Sequence, residues 1–191
     1  MSNEITVKLK CTIKEICNIL EDKKFRVVDK FILNDTYYIP KSLVLENMNY
    51  RQILSQAILL RDITELMPYK KVIKLTFKNK QIDENGDILS QSKIDCEIIN
   101  AEEGNKFLEA LGYNKLMNIL ENTIVYEKDG LQLEIKDIKN GDNLVEVETK
   151  EDNKELDTIE KVKRKIDELL IPIDTNNYFV KKAEVKLEKT L

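Results

Sequence analysis

The sequence predicts an α+β protein: an antiparallel sheet with one charged and one apolar face, and helices packed outside it on the apolar face. Strict alternation is the first observation. In residues 4–11, EITVKLKC, Glu4, Thr6, Lys8 and Lys10 fall on one side of an extended chain, and Ile5, Val7, Leu9 and Cys11 fall on the other. Successive strand side chains point to opposite faces, so one side is core-like and the other ionic. Repetition is the second observation, because four later segments carry the same pattern. The third is that the strand links are short and rich in turn residues, such as IDENGD, EKDG and KNGDN, as hairpins require.

The elements follow in order. After the first strand, TIKEICNILEDKKF opens with Thr12 and has Glu15 three residues on, a capping-box spacing. Ile13, Ile16, Cys17 and Leu20 then recur at helical intervals. Residues 72–80 set Lys74, Thr76, Lys78 and Lys80 opposite Ile73, Leu75 and Phe77. Residues 91–98 set Lys93, Asp95 and Glu97 opposite Ile94, Cys96 and Ile98. A helix opens at Asn100 with Glu103 in the capping position, carries Phe107, Leu108 and Leu111, and stops at Gly112. Residues 131–138 set Gln132, Glu134 and Lys136 opposite Leu131, Leu133 and Ile135. Residues 144–150 set Glu146 and Glu148 opposite Val145 and Val147. The acidic run VETKEDNKELD reads as a solvated loop. A last helix, capped by Asp157 and Glu160, has Leu156, Ile159, Val162, Ile166 and Leu169 as its stripe and ends at Pro172. No proline-rich or low-complexity linker interrupts the chain, so 1–191 reads as a single domain.

Composition narrows the chemistry. The 191 residues are 42% hydrophobic and 35% charged, with Lys+Arg 31 against Asp+Glu 35 and a net charge of -4. Arg26, Arg51, Arg61 and Arg164 are the arginines, so lysine supplies most of the positive charge. A balanced chain without a basic tail argues against nucleic acid as a partner. Histidine is absent, which removes His-based triads and His metal sites. A metal must then be held by carboxylates, which suits a hard ion such as Mg2+ or Mn2+. Cys11, Cys17 and Cys96 lack metal-ligand spacing and read as reduced, buried thiols, as in a cytoplasmic protein. The charged N-terminus has no signal-peptide core, and no apolar run reaches the ~18 residues of a membrane span.

The charged strand faces carry the functional argument. They bear the cations Lys8, Lys10, Arg61, Lys74, Lys78, Lys80, Lys93 and Lys136 and the acids Glu4, Asp95, Glu97, Glu134, Glu146 and Glu148. An unpaired ion in a dry interior costs several kcal/mol, so this face must be wet and its charges paired with each other or with a ligand. Cations and acids together suit a phosphate chain with its divalent ion: ammonium and guanidinium groups grip oxygens while carboxylates hold metal. A one-sided wet sheet with solvated charges remains the plainer alternative.

The order of these strands resembles the CYTH superfamily, the triphosphate tunnel proteins, which include class IV adenylate cyclases, thiamine triphosphatases and inorganic triphosphatases. The opening Glu-x-Glu-x-Lys is matched by EITVK, with Glu4 and Lys8 kept and Thr6 in place of the second Glu. Asp-x-Tyr-Phe resembles DTYY (35–38), and Leu-Arg-x-Arg resembles LRDI, with Arg61 kept and Ile63 at the second basic position. Leu-Thr-x-Lys is matched by LTFK, giving Lys78. Arg-x-Glu-x-Glu resembles KIDCE, with Lys93, Asp95 and Glu97. Gly-x-Phe-x-Glu-x-Glu resembles GDNLVEVE, with Glu146 and Glu148, and NNYFVKK resembles the C-terminal Ser-Tyr segment. The matches follow the family order across almost the whole chain.

The resemblance implies an eight-stranded antiparallel β-barrel, a tunnel with a charged interior and helices outside. It implies a metal-dependent phosphohydrolase acting on inorganic triphosphate, thiamine triphosphate or a nucleoside triphosphate. Glu4 and Lys8 would be catalytic. Lys8, Lys10, Arg61, Lys78 and Lys93 would bind phosphate, and Glu4, Asp95, Glu97, Glu146 and Glu148 would hold Mg2+ or Mn2+. The partner would be the small-molecule triphosphate, with no nucleic acid or membrane, and the chain a monomer or homodimer. Departures from the pattern sit at Thr6, Ile63, Glu121, Thr123 and Lys136, where the family has Glu, a basic residue, a Lys-x-Arg pair and Asp. Losing three basic contacts, each worth about 1.5–3 kcal/mol, would lower triphosphate affinity by several orders of magnitude. A weakened nucleotide- or polyphosphate-binding protein and a class IV-type cyclase are the alternatives.

Overall fold

The computed structural model describes residues 4–82, 88–150 and 152–191, the side chains of 79–91 excepted. The strands are β1 (Glu4–Lys8), β2 (Arg26–Pro40), β3 (Ile58–Leu66), β4 (Tyr69–Ile82), β5 (Ile88–Glu97), β6 (Tyr113–Lys128), β7 (Leu131–Ile138) and β8 (Asn143–Glu148). The helices are α1 (Ile13–Asp22), α2 (Tyr50–Ser55), α3 (Ala101–Ala110), α4 (Ile159–Glu168) and α5 (Lys182–Glu188). All eight strands form one sheet in the order β1-β8-β7-β6-β2-β3-β4-β5, and every neighbouring pair is antiparallel.

The predicted α+β class and charged inner face are present, but the ladder does not close between β1 and β5 among the described residues. The C-terminal segment occupies the outer edge of β1 instead. Thr6 N donates to Tyr178 O at 3.0 Å, Val180 N to Thr6 O at 3.0 Å and Asp174 N to Lys8 O at 2.8 Å. An edge strand offers unpaired N–H and C=O groups, and these bonds satisfy both groups of Thr6 and the carbonyl of Lys8.

Strand parity separates the faces. Ile5, Val7, Leu133, Ile135, Val145 and Val147 point to the outer side, where Ile16 and Leu20 of α1 and Val162 and Ile166 of α4 pack against them. Each fully buried Leu, Ile or Val contributes about 1.5–3 kcal/mol, so this layer supplies much of the folding energy. Leu108 of α3 packs with Tyr38, Leu60, Ile73 and Leu75 on the same side of β2, β3 and β4. Thus α1, α3 and α4 form the expected outer coat. The short helices α2 and α5 pack on the other face, where Ile53, Leu54 and Leu187 meet Tyr37, Leu59, Met117, Ile119, Ile138 and Leu144. They close one end of the charged face with an apolar plug.

Local chemistry explains the boundaries. Thr12 and Glu15 form the expected capping box of α1. The cap of α4 is Thr158 rather than Asp157, because its side chain accepts from Lys161 N. Leu156 therefore precedes the helix, though it is buried with the outer core. The β6–β7 hairpin turns through Asp129 and Gly130 at φ 51 and 81, the left-handed pair that a two-residue turn requires. The expected turn at 82–87 lies largely outside the described residues. Cys11, Cys17 and Cys96 are free thiols; Cys96 is exposed on β5, since its outward face extends past the cover of α3.

Candidate functional site

The charged face has two poles. The acidic pole is built by β1, β8 and β7. Their register places Glu4 opposite Glu148, and Thr6 and Glu134 on either side of Glu146. Carboxylate oxygens of Glu4, Glu146 and Glu148 all lie within 4.8 Å of one another. Burial, then the nearby Glu146 carboxylate, pushes the Glu4 carboxyl above its ordinary value, against the partial relief of Lys181. Burial pushes Glu134 up as well, with Lys136 opposing it. Like charges crowded in this way stabilise the protonated form until a cation is brought in. A hard divalent ion fits: three converging carboxylates, no nitrogen or sulfur donor, and an electrostatic demand for positive charge.

A buried ionic chain continues from this pole. Lys136 Nζ lies 2.7 Å from Glu146 Oε1, 3.1 Å from Glu134 Oε2 and 4.0 Å from Glu121 Oε1. The Thr6 hydroxyl donates to Glu146 Oε2 at 3.1 Å. Lys182, at the start of α5, reaches Glu121 Oε2 at 2.6 Å, and the Thr123 hydroxyl donates to Glu121 Oε1 at 2.9 Å. Glu121 is only 1% exposed and Lys136 only 5%. Burial alone would push the Glu121 carboxyl up; Lys182, Lys136 and Thr123 outweigh it and hold it below its ordinary value. Burial likewise works against the Lys136 ammonium, but Glu146, Glu134 and Glu121 raise its pKa above the ordinary lysine value.

The cationic pole is built by β3, β4 and β5. Lys78 stands directly opposite Lys93, Thr76 opposite Asp95, and Lys74 opposite Glu97. Asp95 takes Lys74 and Lys93 on Oδ2, each at 2.9 Å, and the Thr76 hydroxyl on Oδ1 at 2.7 Å. Desolvation is outweighed by these three bonds, which hold the Asp95 carboxyl well below the usual range. Arg61 forms a bidentate pair with Asp35, Nε to Oδ1 at 2.8 Å and a terminal nitrogen to Oδ2 at 3.0 Å. Asp35 and Arg61 are register partners, and Asp35 is 1% exposed.

The residues singled out from the sequence therefore fall into three places. Glu4, Glu146 and Glu148 come together. Asp95 and Glu97 lie on β5, at the opposite edge of the sheet order from β1, where Asp95 is committed to lysines. Lys78 and Lys93 meet across a strand pair, with Lys74 and Arg61 beside them. Lys8, the last residue of β1, and Lys10 just beyond it lie away from Glu4, paired with Asp142 at 2.7 Å and Asp174 at 3.3 Å. The sequence reading did not place Asp35, Thr76, Glu121 or Lys182 in the site. Asp35 and Thr76 stood in motifs, but only pairing shows what they hold. Glu121 read as a lost basic contact, and Lys182 follows a segment without alternation.

Solved structures place this arrangement among known folds. A protein of Pyrococcus horikoshii is 20% identical, with a TM-score of 0.66 over 97% of this chain and 99% of that one. An adenylyl cyclase homologue of Hippeastrum, described as having a dominant triphosphatase activity, is 18% identical, with a TM-score of 0.61 over 100% of this chain and 97% of that one. An adenylate cyclase homologue of Vibrio parahaemolyticus is 11% identical, with a TM-score of 0.55 over 98% of both chains. No family model and no curated protein matches the chain. At this level of identity the likeness is one of architecture, and the chain has a CYTH-like fold.

Proposed function

We propose that the chain is a CYTH-type phosphohydrolase that takes a small-molecule triphosphate between its two poles, with Mg2+ or Mn2+ held by Glu4, Glu146 and Glu148. The observation that carries this reading is the Lys78–Lys93 pair. The register sets these two lysines directly opposite each other on the inner face, and an anion lying between them would take a charge-assisted bond from each. Lys74 and Lys93 are tethered by Asp95, which orients their ammonium groups. The bound ion would supply the positive charge that polarises the phosphoryl oxygens at the acidic end. The triphosphate-related function of structural neighbours supports the same class. Three free thiols agree with a cytoplasmic setting.

A release assay for phosphate with inorganic triphosphate, thiamine triphosphate and ATP, each in Mg2+ and in Mn2+, tests the proposal. Metal-dependent release from at least one substrate is expected, and Glu148→Gln should abolish it. Release without added metal, or full activity of Glu148→Gln, would overturn the assignment. One observation favours a second reading, a binding protein with little turnover. The guanidinium fork of Arg61 is already spent on Asp35, which leaves lysines to grip phosphate without a bidentate partner. Calorimetric binding of triphosphate with no turnover in either metal selects that reading.

A further inference from the structure

Two of the positions that depart from the family pattern, Thr6 and Lys136, converge on one carboxylate. Glu146 receives the Lys136 ammonium on Oε1 at 2.7 Å and the Thr6 hydroxyl on Oε2 at 3.1 Å. The ammonium lies inside a cage of Glu146, Glu134 and Glu121. It is almost fully buried, so water screens it little. The cage shares Glu146 with the triad of Glu4, Glu146 and Glu148.

We infer that Lys136 is the resident cation of the acidic pole, and that the pole accepts one divalent ion beside it rather than two. This inference rests on the reading of Glu4, Glu146 and Glu148 as a metal site. Among the described residues, four carboxylates line the pole: Glu4, Glu134, Glu146 and Glu148. Lys136, one divalent ion and Lys181, whose charge also reaches Glu4, together match those four charges. A second divalent ion would bring the total to six positive charges against four negative ones. Its available ligands, Glu134 and Glu146, are the two that already hold the ammonium. Glu121 cannot draw Lys136 away to make room, since its two oxygens are already taken by Thr123 and Lys182. Lys136 also fixes the orientation of Glu146: with one oxygen on the ammonium and the other on Thr6, the carboxylate is held in one rotamer toward the triad. Lys136 is thus a positioning residue and a tethered substitute for a second metal ion.

Mn2+ titration of the full chain, followed by electron paramagnetic resonance and equilibrium dialysis without substrate, tests this. The unaltered protein should bind one Mn2+, Lys136→Arg should also bind one, and Lys136→Gln should bind two. Two ions on the unaltered protein would overturn the inference and leave the metal reading standing. One ion on a folded Lys136→Gln would overturn it as well. No Mn2+ on any of these proteins would overturn the metal reading, and this inference with it. Circular dichroism establishes whether Lys136→Gln folds; should it not, the stoichiometry of the unaltered protein, one ion or two, decides.

Discussion

Lys78 and Lys93 stand opposite each other across β4 and β5, and Lys93 has Asp95 at 2.9 Å. Removing the Lys78 ammonium leaves the backbone ladder of β4 and β5 in place and would remove one grip on a bound triphosphate. Lys78→Ala should therefore keep the fold and weaken inorganic triphosphate binding about 10- to 100-fold, the equivalent of one charge-assisted contact of about 1.5–3 kcal/mol. Isothermal calorimetry reads this directly; unchanged affinity would remove Lys78 from the site. Arg61 behaves differently, because its partner Asp35 is buried. Arg61→Met leaves a buried carboxylate without its cation and should cost about 3–5 kcal/mol in urea unfolding. Adding Asp35→Leu to that variant should restore most of the loss, since an apolar pair of similar size carries no desolvation penalty. A loss that persists in the double variant would mean that Arg61 acts through packing.

At the scale of elements, α5 joins the fold to the site. Its Leu187 is fully buried in the plug beside Ile53 and Leu54 of α2. Arg51 of α2 and Glu184 of α5 form an ion pair at 3.1 Å between the two helices. Lys182 from the first turn reaches the buried Glu121. Seven residues make a marginal helix alone, so packing rather than propensity holds α5. Leu187→Ala should lower stability by about 2–5 kcal/mol. It should also loosen Lys182, so that backbone amide exchange in α5 and at Glu121 rises more than in the outer layer of α1 and α4. Equal acceleration throughout the protein would show that α5 is not a separate structural unit.

The whole molecule couples charge to pH. Glu4 and Glu134 have carboxyl pKa values raised by burial, so the folded state holds their protons more tightly than the unfolded state. Their contribution falls as pH rises from the ordinary carboxylate value through the raised one. Glu121 and Asp95 have lowered values, so their contribution is present above the ordinary value and lost as pH falls through the lowered one. A divalent ion at the triad would favour the ionised Glu4 and displace its proton. Mn2+ should therefore raise the melting temperature more at about pH 7.5 than at about pH 5, where protons compete with the ion. Scanning fluorimetry at the two pH values checks this, and an equal or reversed shift would contradict a carboxylate-held ion.

Alternation alone located β1, β4, β5, β7 and β8, because one wet and one buried face writes itself into a period of two. It did not mark β2, β3 and β6, whose inward faces mix Phe31, Leu33, Ile63 and Ile119 with Asp35, Arg61 and Glu121, so polar and apolar residues no longer alternate cleanly. It did not mark α2 and α5 either, whose six and seven residues are too short for a helical period to stand out. The sequence by itself determined the sheet class, the outer helical coat and the set of ionic residues, since these follow from local periodicity and capping. The tertiary structure decided which charges meet. Strand register put Asp95 with lysines rather than with Glu4, and placed Lys136 among three carboxylates. Such partners lie many residues apart in the chain, and only pairing across strands brings them within a few ångströms.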